Sequence, residues 1–579
     1  MISKTHSVLF VLVIGSASLA MTACKPVKSC SASNCNGCCS EMGQCLAGNG
    51  NTACGRGGSL CKACGLNEMC LATTGSCIGG MGTGGGASGT GGGTSSTGGG
   101  TSSTGGGMTG GGSGGSGGGA INPDDVEGTC TQSWSSDLDG GTRPCPFGSS
   151  PPTAMVISED GGVLTISAAL RADGSFNLAN VPMGPYFVKV GTTWLKTTER
   201  RISLSYESLG RIDGAMAGAS TTLTVNATGM TAWNSTNHFM SLYSSNAGVA
   251  MEAFSLYTAS TPFGGETSFN FAIPWDLYST QLATPMLDST RGDSAIVTQM
   301  GADSTGEYRI LGAATAGSVA MVSGQANTTT AALTIPPSSN TPLDVNLASF
   351  SAAATDFTTG TEATLAVEFN TGPKALHERG ADGLAFVWGW YPQAGVPSTL
   401  PNPVSYPNPF PSTWGTTVVV QYGNGVSRLA TGAVEARRYF SGVTMTLPMQ
   451  ALASPVTSTL SPPKDVQLNG MPFSSAQTAV TRTPTITWTA PSVGTPNRYL
   501  LRVEQLQVSQ SRTTGRVAAV FYLLPTDTTF TIPPNILLTG QSYVLVLTSF
   551  KSLGTVTRDL YDFRFPVASG LVVSGIVRP

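Results

Sequence analysis

The sequence predicts a mainly all-β protein, with antiparallel β-sandwiches in tandem behind a small disulfide-rich module and a disordered glycine-rich linker. Three observations predict it. Beyond Ile121 apolar residues recur with period two, Thr, Ser and Val dominate, and Gly and Pro punctuate the chain, with only 11% of all residues charged. Ten of the 13 cysteines fall between Cys30 and Cys77. Between these regions lies a stretch with nothing to build a core from.

The chain opens "MISKTHSVLFVLVIGSASLAMTAC", with Lys4 and His6 ahead of an uncharged apolar run and small residues before a cysteine. That order is a secretory signal peptide, here residues 1–23. The run is shorter than the roughly 20 residues a spanning helix needs. Its end, Met21-Thr22-Ala23-Cys24, resembles the bacterial lipobox, departing from the commonest pattern at Met21. The resemblance implies that Cys24 carries a diacylglycerol at the head of a short lipidated N-terminus, residues 24–29. With Cys24 removed from 13, the remaining twelve cysteines can all pair. Acyl chains hold a protein on a membrane without a spanning helix. Lys25-Pro26 lacks the aspartate that commonly retains such proteins at an inner membrane, so the outer membrane or cell surface is expected.

Residues 30–78 carry Cys30, Cys35, Cys38, Cys39, Cys45, Cys54, Cys61, Cys64, Cys70 and Cys77, with four Leu and no Ile, Val or Phe from the first cysteine to the last. Such a segment replaces an apolar core with disulfides. Cys35-x2-Cys38 with Cys45 answers Cys61-x2-Cys64 with Cys70, the mark of a degenerate duplication. Zinc is the alternative for paired CxxC motifs, disfavoured by the oxidising exterior, the Cys38-Cys39 doublet and the lack of histidine. In spacing the module resembles the knottin-like units near the N-termini of surface lipoproteins of delta-group, myxobacterial-type bacteria.

Residues 79–122 form the linker; from Gly79 to Ala120 it holds 24 glycines and repeats GGGTSST. A coil of this kind has an end-to-end distance of about 35 Å and a stretched limit of about 140 Å. Gly111-x-Ser113-x-Gly115 and Gly80-x-Gly82-x-x-Gly85 match hydrolase and dinucleotide motifs only as text, because both need a preceding strand and a following helix.

In residues 123–215, Cys130 and Cys145 form the last pair, flanking a polar loop, "DLDGG", that reads as a plain surface turn, since it lacks the further ligands of a calcium loop. "VLTISAALRADGSFNLANVPMGPYFVKV" follows, with a turn at Asp173-Gly174 and inward faces Phe176, Leu178 and Tyr186, Val188, Val190. It resembles the hairpin of carboxypeptidase-regulatory-like domains, which implies a small accessory sandwich without peptidase activity.

Residues 216–455 read as strands and turns, for example "TLTVNAT" and "TSFNFAI", with two sandwiches expected to divide near Pro342. "FVWGWYPQAGVPSTLPNPVSYPNPFPSTWG" places Trp388, Trp390, Tyr391 and Trp414 amid prolines. Clustered aromatics on rigid loops suit stacking on sugars or a partner protein, and equally suit packing over a sandwich edge. These four are the candidate ligand-binding residues.

Residues 460–579 contain "PTITWTAPSVGTPNRYLLRVEQL", "TTFTIPPNILLTGQSYVLVLTSF" and "DLYDFRF", the last read as a strand with Tyr561, Phe563 and Phe565 on one face. Trp488, Tyr499, Leu538, Gly540 and Tyr543 stand at positions resembling those of a fibronectin type III domain. The resemblance implies core aromatics and a tyrosine hydroxyl bonded back to the chain.

No catalytic constellation is found. His238 and His377 are unframed, and "ALHERG" is not HExxH. The acidic residues show no local pairing, and Arg291-Gly292-Asp293 reads as a chance tripeptide. A net charge of −3 without basic clusters excludes nucleic acid as the expected partner. The expected protein is a non-enzymatic, lipid-anchored surface protein, without cofactor or metal. Its partners are the membrane and envelope or extracellular polysaccharide or another surface protein, met through weak contacts repeated along an extended array. The alternative is a hydrolase of polysaccharide or peptide with its site in 216–455.

Overall fold

In the computed structural model, the described residues are short stretches between 35 and 79, and 124–579 apart from 139, 148–150, 158–161, 259–261, 283, 355–362, 375–384, 393–398, 479, 510 and 555–557. The signal peptide, Cys24, Cys30, Cys64, the linker beyond Gly79 and His377 lie outside them, as do the side chains of Cys39, Cys45, Cys54, Cys70 and Cys77. The chain divides into two units, 11–117 and 118–579 with 1–10.

In the smaller unit Cys38–Cys39 pairs antiparallel with Cys45–Leu46 and parallel with Ser59–Leu60. A disulfide joins Cys38 to Cys61, one cysteine from each CxxC pair, so neither supplies a free thiolate. Closing a loop of that span contributes about 3 kcal/mol.

In the larger unit, period-two alternation becomes sheet faces. Thr222–Thr228 turns Leu223, Val225 and Ala227 inward while its threonines stay half-exposed or exposed, and Ala326–Ala332 beside it alternates in the same way. The described residues build four sandwiches, each around its own core. The first opposes Ala169–Leu170, Ser175–Leu178, Val126–Thr129 and Arg201–Ser203 to Val163–Ser167, Thr153–Ile157, Tyr186–Val190 and Thr193–Thr197. Phe176, Leu178, Tyr186 and Val188 fill it. The turn before Phe176 depends on Gly174 at φ +84°, where a Cβ would lie 2.5 Å from the Cys130 carbonyl oxygen. The Cys130–Cys145 disulfide closes beside it.

The second sandwich packs Phe269–Pro274, Thr222–Thr228 and Ala326–Ala332 against Val249–Met251, His238–Ser244, Ile296–Ala302 and Glu307–Thr315. The third is built on Ala385–Trp390, Thr364–Pro373, Trp414–Arg428 and Arg437–Pro448, covered by the helix Leu347–Ala353 and the ribbon of Ser338–Thr341 with Val404–Pro407. Asn346 caps that helix by accepting from the Ser349 amide.

The fourth sandwich opposes Lys464–Leu468, Thr485–Thr489 and Thr529–Thr531 to Arg512–Leu523, Arg498–Ser509, Ser542–Lys551 and Val567–Val573. Trp488 and Tyr499 meet edge to face at 5.4 Å inside it. The Leu538 amide donates to the Tyr543 hydroxyl at 2.9 Å, the corner expected of a fibronectin type III-like module.

Strand pairing joins three pairs of modules. Thr193–Leu195 pairs parallel with Val520–Tyr522, Glu307–Arg309 antiparallel with Trp388–Trp390, and Gly442–Thr446 antiparallel with Val567–Leu571. The expected extended array is therefore a body with shared sheets. One consequence is that Phe187, on the opposite face from Tyr186 and Val188, is also buried, because that face meets the fourth sandwich.

The expected strand at "DLYDFRF" is corrected. Tyr561–Phe565 is irregular backbone, a turn at Tyr561 and a bend at Phe565, ahead of Pro566, and its aromatics pack against neighbours: Tyr561 on Tyr206 at 6.1 Å and Phe563 on Phe550 at 5.1 Å. The segment bridges two sandwiches, with Leu560 donating its amide to the Ser203 carbonyl. Alternation here records which rings fill a seam, not a sheet face.

Candidate functional site

The candidate aromatic platform is not a platform. Trp388 and Trp390 are 0% and 5% exposed, because Ala385–Trp390 is a central strand covered on both faces. The Trp388 indole donates to Glu307 Oε1 at 2.8 Å and its ring lies 4.9 Å from Phe369. Trp414 is half-buried, stacked on Phe410 at 5.1 Å, and its indole N–H donates to Asp137 Oδ1 at 2.8 Å. These tryptophans serve the core and an inter-module contact.

Tyr391 leads to a different feature. Its hydroxyl donates to Glu368, which also accepts from Asn370. Glu368 sits in Thr364–Pro373 with Gly389 opposite on one neighbouring strand and Val419 on the other. Gly389 is needed there, since a Cβ would meet the rings of Phe386 and Tyr391 at 2.6 and 2.8 Å. Glu252 follows the strand Val249–Met251 of the second sandwich. Glu252 keeps an exposed edge, yet protein crowds its carboxyl. Desolvation, and then the charge of Glu368, pushes it up to about 7. Burial raises Glu368 as well, while its bonds from Tyr391 and Asn370 pull it down. Tyr243 and Tyr391 are held far above the usual phenol range, first by burial. Tyr308 lies 5.4 Å from Tyr391, ring to ring.

Two carboxyls with environments of this kind hold a proton near neutrality, which suits acid–base chemistry or a proton-dependent joint between modules. Local spacing gave no sign of the pair, because its members come from separate sandwiches. The one available signal was a glutamate at the centre of "TLAVEFNT", between two inward residues, Val367 and Phe369.

The remaining candidates are structural. His238 Nδ1 accepts from the Asn234 amide at 3.1 Å and faces Gln299 Nε2 at 3.2 Å, and burial lowers its pKa. In the Arg-Gly-Asp tripeptide Asp293 is buried and held by Arg211 at 2.9 and 3.1 Å, while Arg291 pairs with Asp213 and Asp288. The "DLDGG" loop, expected as a plain turn, is a clasp. Asp137 binds Ser245 and Trp414, and Asn246 Oδ1 accepts from the amides of Asp137 and Leu138. Two cavities lie at module seams. One of about 190 Å³ borders Arg211 and Asp288, and one of about 460 Å³ lies between the third and fourth sandwiches.

No family model matches the chain, and no curated protein matches it. Among solved structures it is similar to the FN1–FN3 domains of chicken CNTN1, at 10% identity and a TM-score of 0.13, over 63% of this chain and 99% of that one. The fold defines a β-sandwich protein with disulfide pairs in its N-terminal half.

Proposed function

We propose that this chain is an exported, lipid-anchored surface protein that works by binding. Cys24 holds it at the outer membrane, the glycine-rich segment gives it reach, and the β-sandwich body meets envelope or extracellular polysaccharide or another surface protein. The observation that carries this reading is the strand pairing between three pairs of modules, Thr193–Leu195 with Val520–Tyr522 among them. Shared sheets hold surface groups from different modules in fixed relation, and fixed geometry lowers the entropy cost of binding. Retention of the purified full chain on isolated envelope polysaccharide or peptidoglycan tests the binding part, and absence of retention on both counts against a glycan partner. Metabolic labelling with a radioactive fatty acid tests the anchor. Label should enter the wild-type chain and vanish from Cys24→Ser, and equal labelling of the two would remove Cys24 from the proposal.

A second reading, a hydrolase acting through 216–455, is favoured by one observation, the Glu252–Glu368 pair with its raised carboxyls. It ranks second because Glu368 lies within packed strands, between Gly389 and Val419. Release of reducing ends from polysaccharide by wild type, lost in Glu368→Gln, would reverse the ranking.

A further inference from the structure

The seam between the third and fourth sandwiches contains several arginines, and one differs from its neighbours. Arg437 pairs with Glu504 at 2.6 Å and Arg512 with Glu435 at 2.7 Å. Arg578 is half-buried at the wall of the 460 Å³ cavity. Its Nε donates to Ser542 Oγ at 3.1 Å and one terminal nitrogen to Thr431 Oγ1 at 3.0 Å. Among the described residues no carboxylate lies within ion-pairing distance of it. Two neutral hydroxyls therefore orient the guanidinium without neutralising it, and its other terminal nitrogen is left for a ligand.

The rest of the lining suits the same ligand. Gln541 is exposed, and its carbonyl oxygen accepts from Gln505 at 2.8 Å, which leaves its own amide hydrogens free to donate. Leu506 and Val508 supply an aliphatic wall. Among the described residues no aromatic ring borders the cavity, so the lining does not offer the stacking that neutral sugars favour. The volume falls within the range of about 300–1,000 Å³ usual for small-ligand pockets. A planar carboxylate fits a guanidinium fork, and ligand hydroxyls fit the hydroxyls and amide beside it.

We propose that this seam cavity binds the carboxylate of an acidic sugar unit, with Arg578 as anchor, Gln541 and the hydroxyls of Thr431 and Ser542 as polar partners, and Leu506 and Val508 against the ring's C–H face. The inference rests on the binding reading given above and names its ligand class. Both modules contribute lining residues, so the site exists only where the two are joined.

Calorimetric titration of the full-length protein with glucuronate, glucose and sulfate tests it. Saturable glucuronate binding is expected at about 1 mM, the level one small charged ligand reaches, with glucose and sulfate at least about tenfold weaker. Arg578→Gln should weaken glucuronate by about tenfold or more. Gln541→Glu, an exposed change that leaves the core untouched, should do the same by placing a carboxylate beside Arg578. Glucuronate binding that persists unchanged in both variants overturns the site, as does sulfate binding of equal strength, which would mark an undirected anion spot. Absence of glucuronate binding in wild type overturns it too, even where the chain is retained on polysaccharide, a result that leaves the broader binding reading standing.

Discussion

The first sandwich meets the fourth through rings, and the second and third through charges and hydrogen bonds. At the first contact Phe187, Trp194, Phe521 and Phe530 form one cluster, with Trp194 to Phe521 at 5.3 Å and Phe521 to Phe530 at 4.9 Å, over a shared parallel strand pair. At the second, Arg211 grips the buried Asp293, Asn246 accepts two loop amides, and Asp137 receives the Trp414 indole N–H. Both join modules, but by different physics. Apolar burial is nondirectional and scales with the area removed from water. A buried ion pair contributes little net stability while its partners are intact, and its loss is costly because one charge is left alone. The ring seam therefore supplies cohesion, whereas the polar clasp specifies one arrangement of the modules.

The largest expected effect tests the ring seam. Trp194 is 2% exposed, so Trp194→Ala should cost about 3–5 kcal/mol in chemical denaturation. A cost below about 1 kcal/mol would show that the shared strand pair alone carries the joint.

Next is Arg211→Met, which keeps most of the side-chain volume and leaves Asp293 without its cation. A loss of about 3 kcal/mol is expected, because the buried carboxylate is left without its cation. A loss below about 1 kcal/mol would show that packing alone carries the contact.

Trp414→Phe keeps the ring over Phe410 and removes only the bond to Asp137. About 1 kcal/mol should be lost. A larger loss would place the energy in the stack.

The smallest effect concerns Glu252. Its folded-state value lies near 7 against an ordinary 4.5, so the native chain holds that proton more tightly than the unfolded chain does. The group's stabilising contribution is complete below about 4.5 and is lost as pH rises through about 7. Glu252→Gln should therefore melt above wild type at pH 8 by about 1–2 °C and close to it at pH 5. A shift of the same size at both pH values would remove the carboxyl–carboxyl repulsion from the account.

The all-β class was legible in alternations such as that of Thr222–Thr228, because an antiparallel strand with one wet face writes its own burial pattern. The Cys130–Cys145 pair and the Tyr543 corner were legible because both close over short spans of chain. Strands buried on both faces misled the reading. The tryptophans of Ala385–Trp390 look like a binding patch in a proline-rich setting, and only the strands on either side show that they are core. The Glu252–Glu368 pair was illegible for a related reason, since no local period connects a residue after Val249–Met251 with one in Thr364–Pro373.

The sequence by itself determined most of the strands and the Cys130–Cys145 closure, since each depends on periodicity or on cysteines and turns within one module. Only the tertiary structure decided which edges pair across modules, which aromatics are covered, and which charges meet at the seams. Those outcomes depend on contacts between residues far apart in the chain, and a residue type records what it can do but not which neighbour it will find.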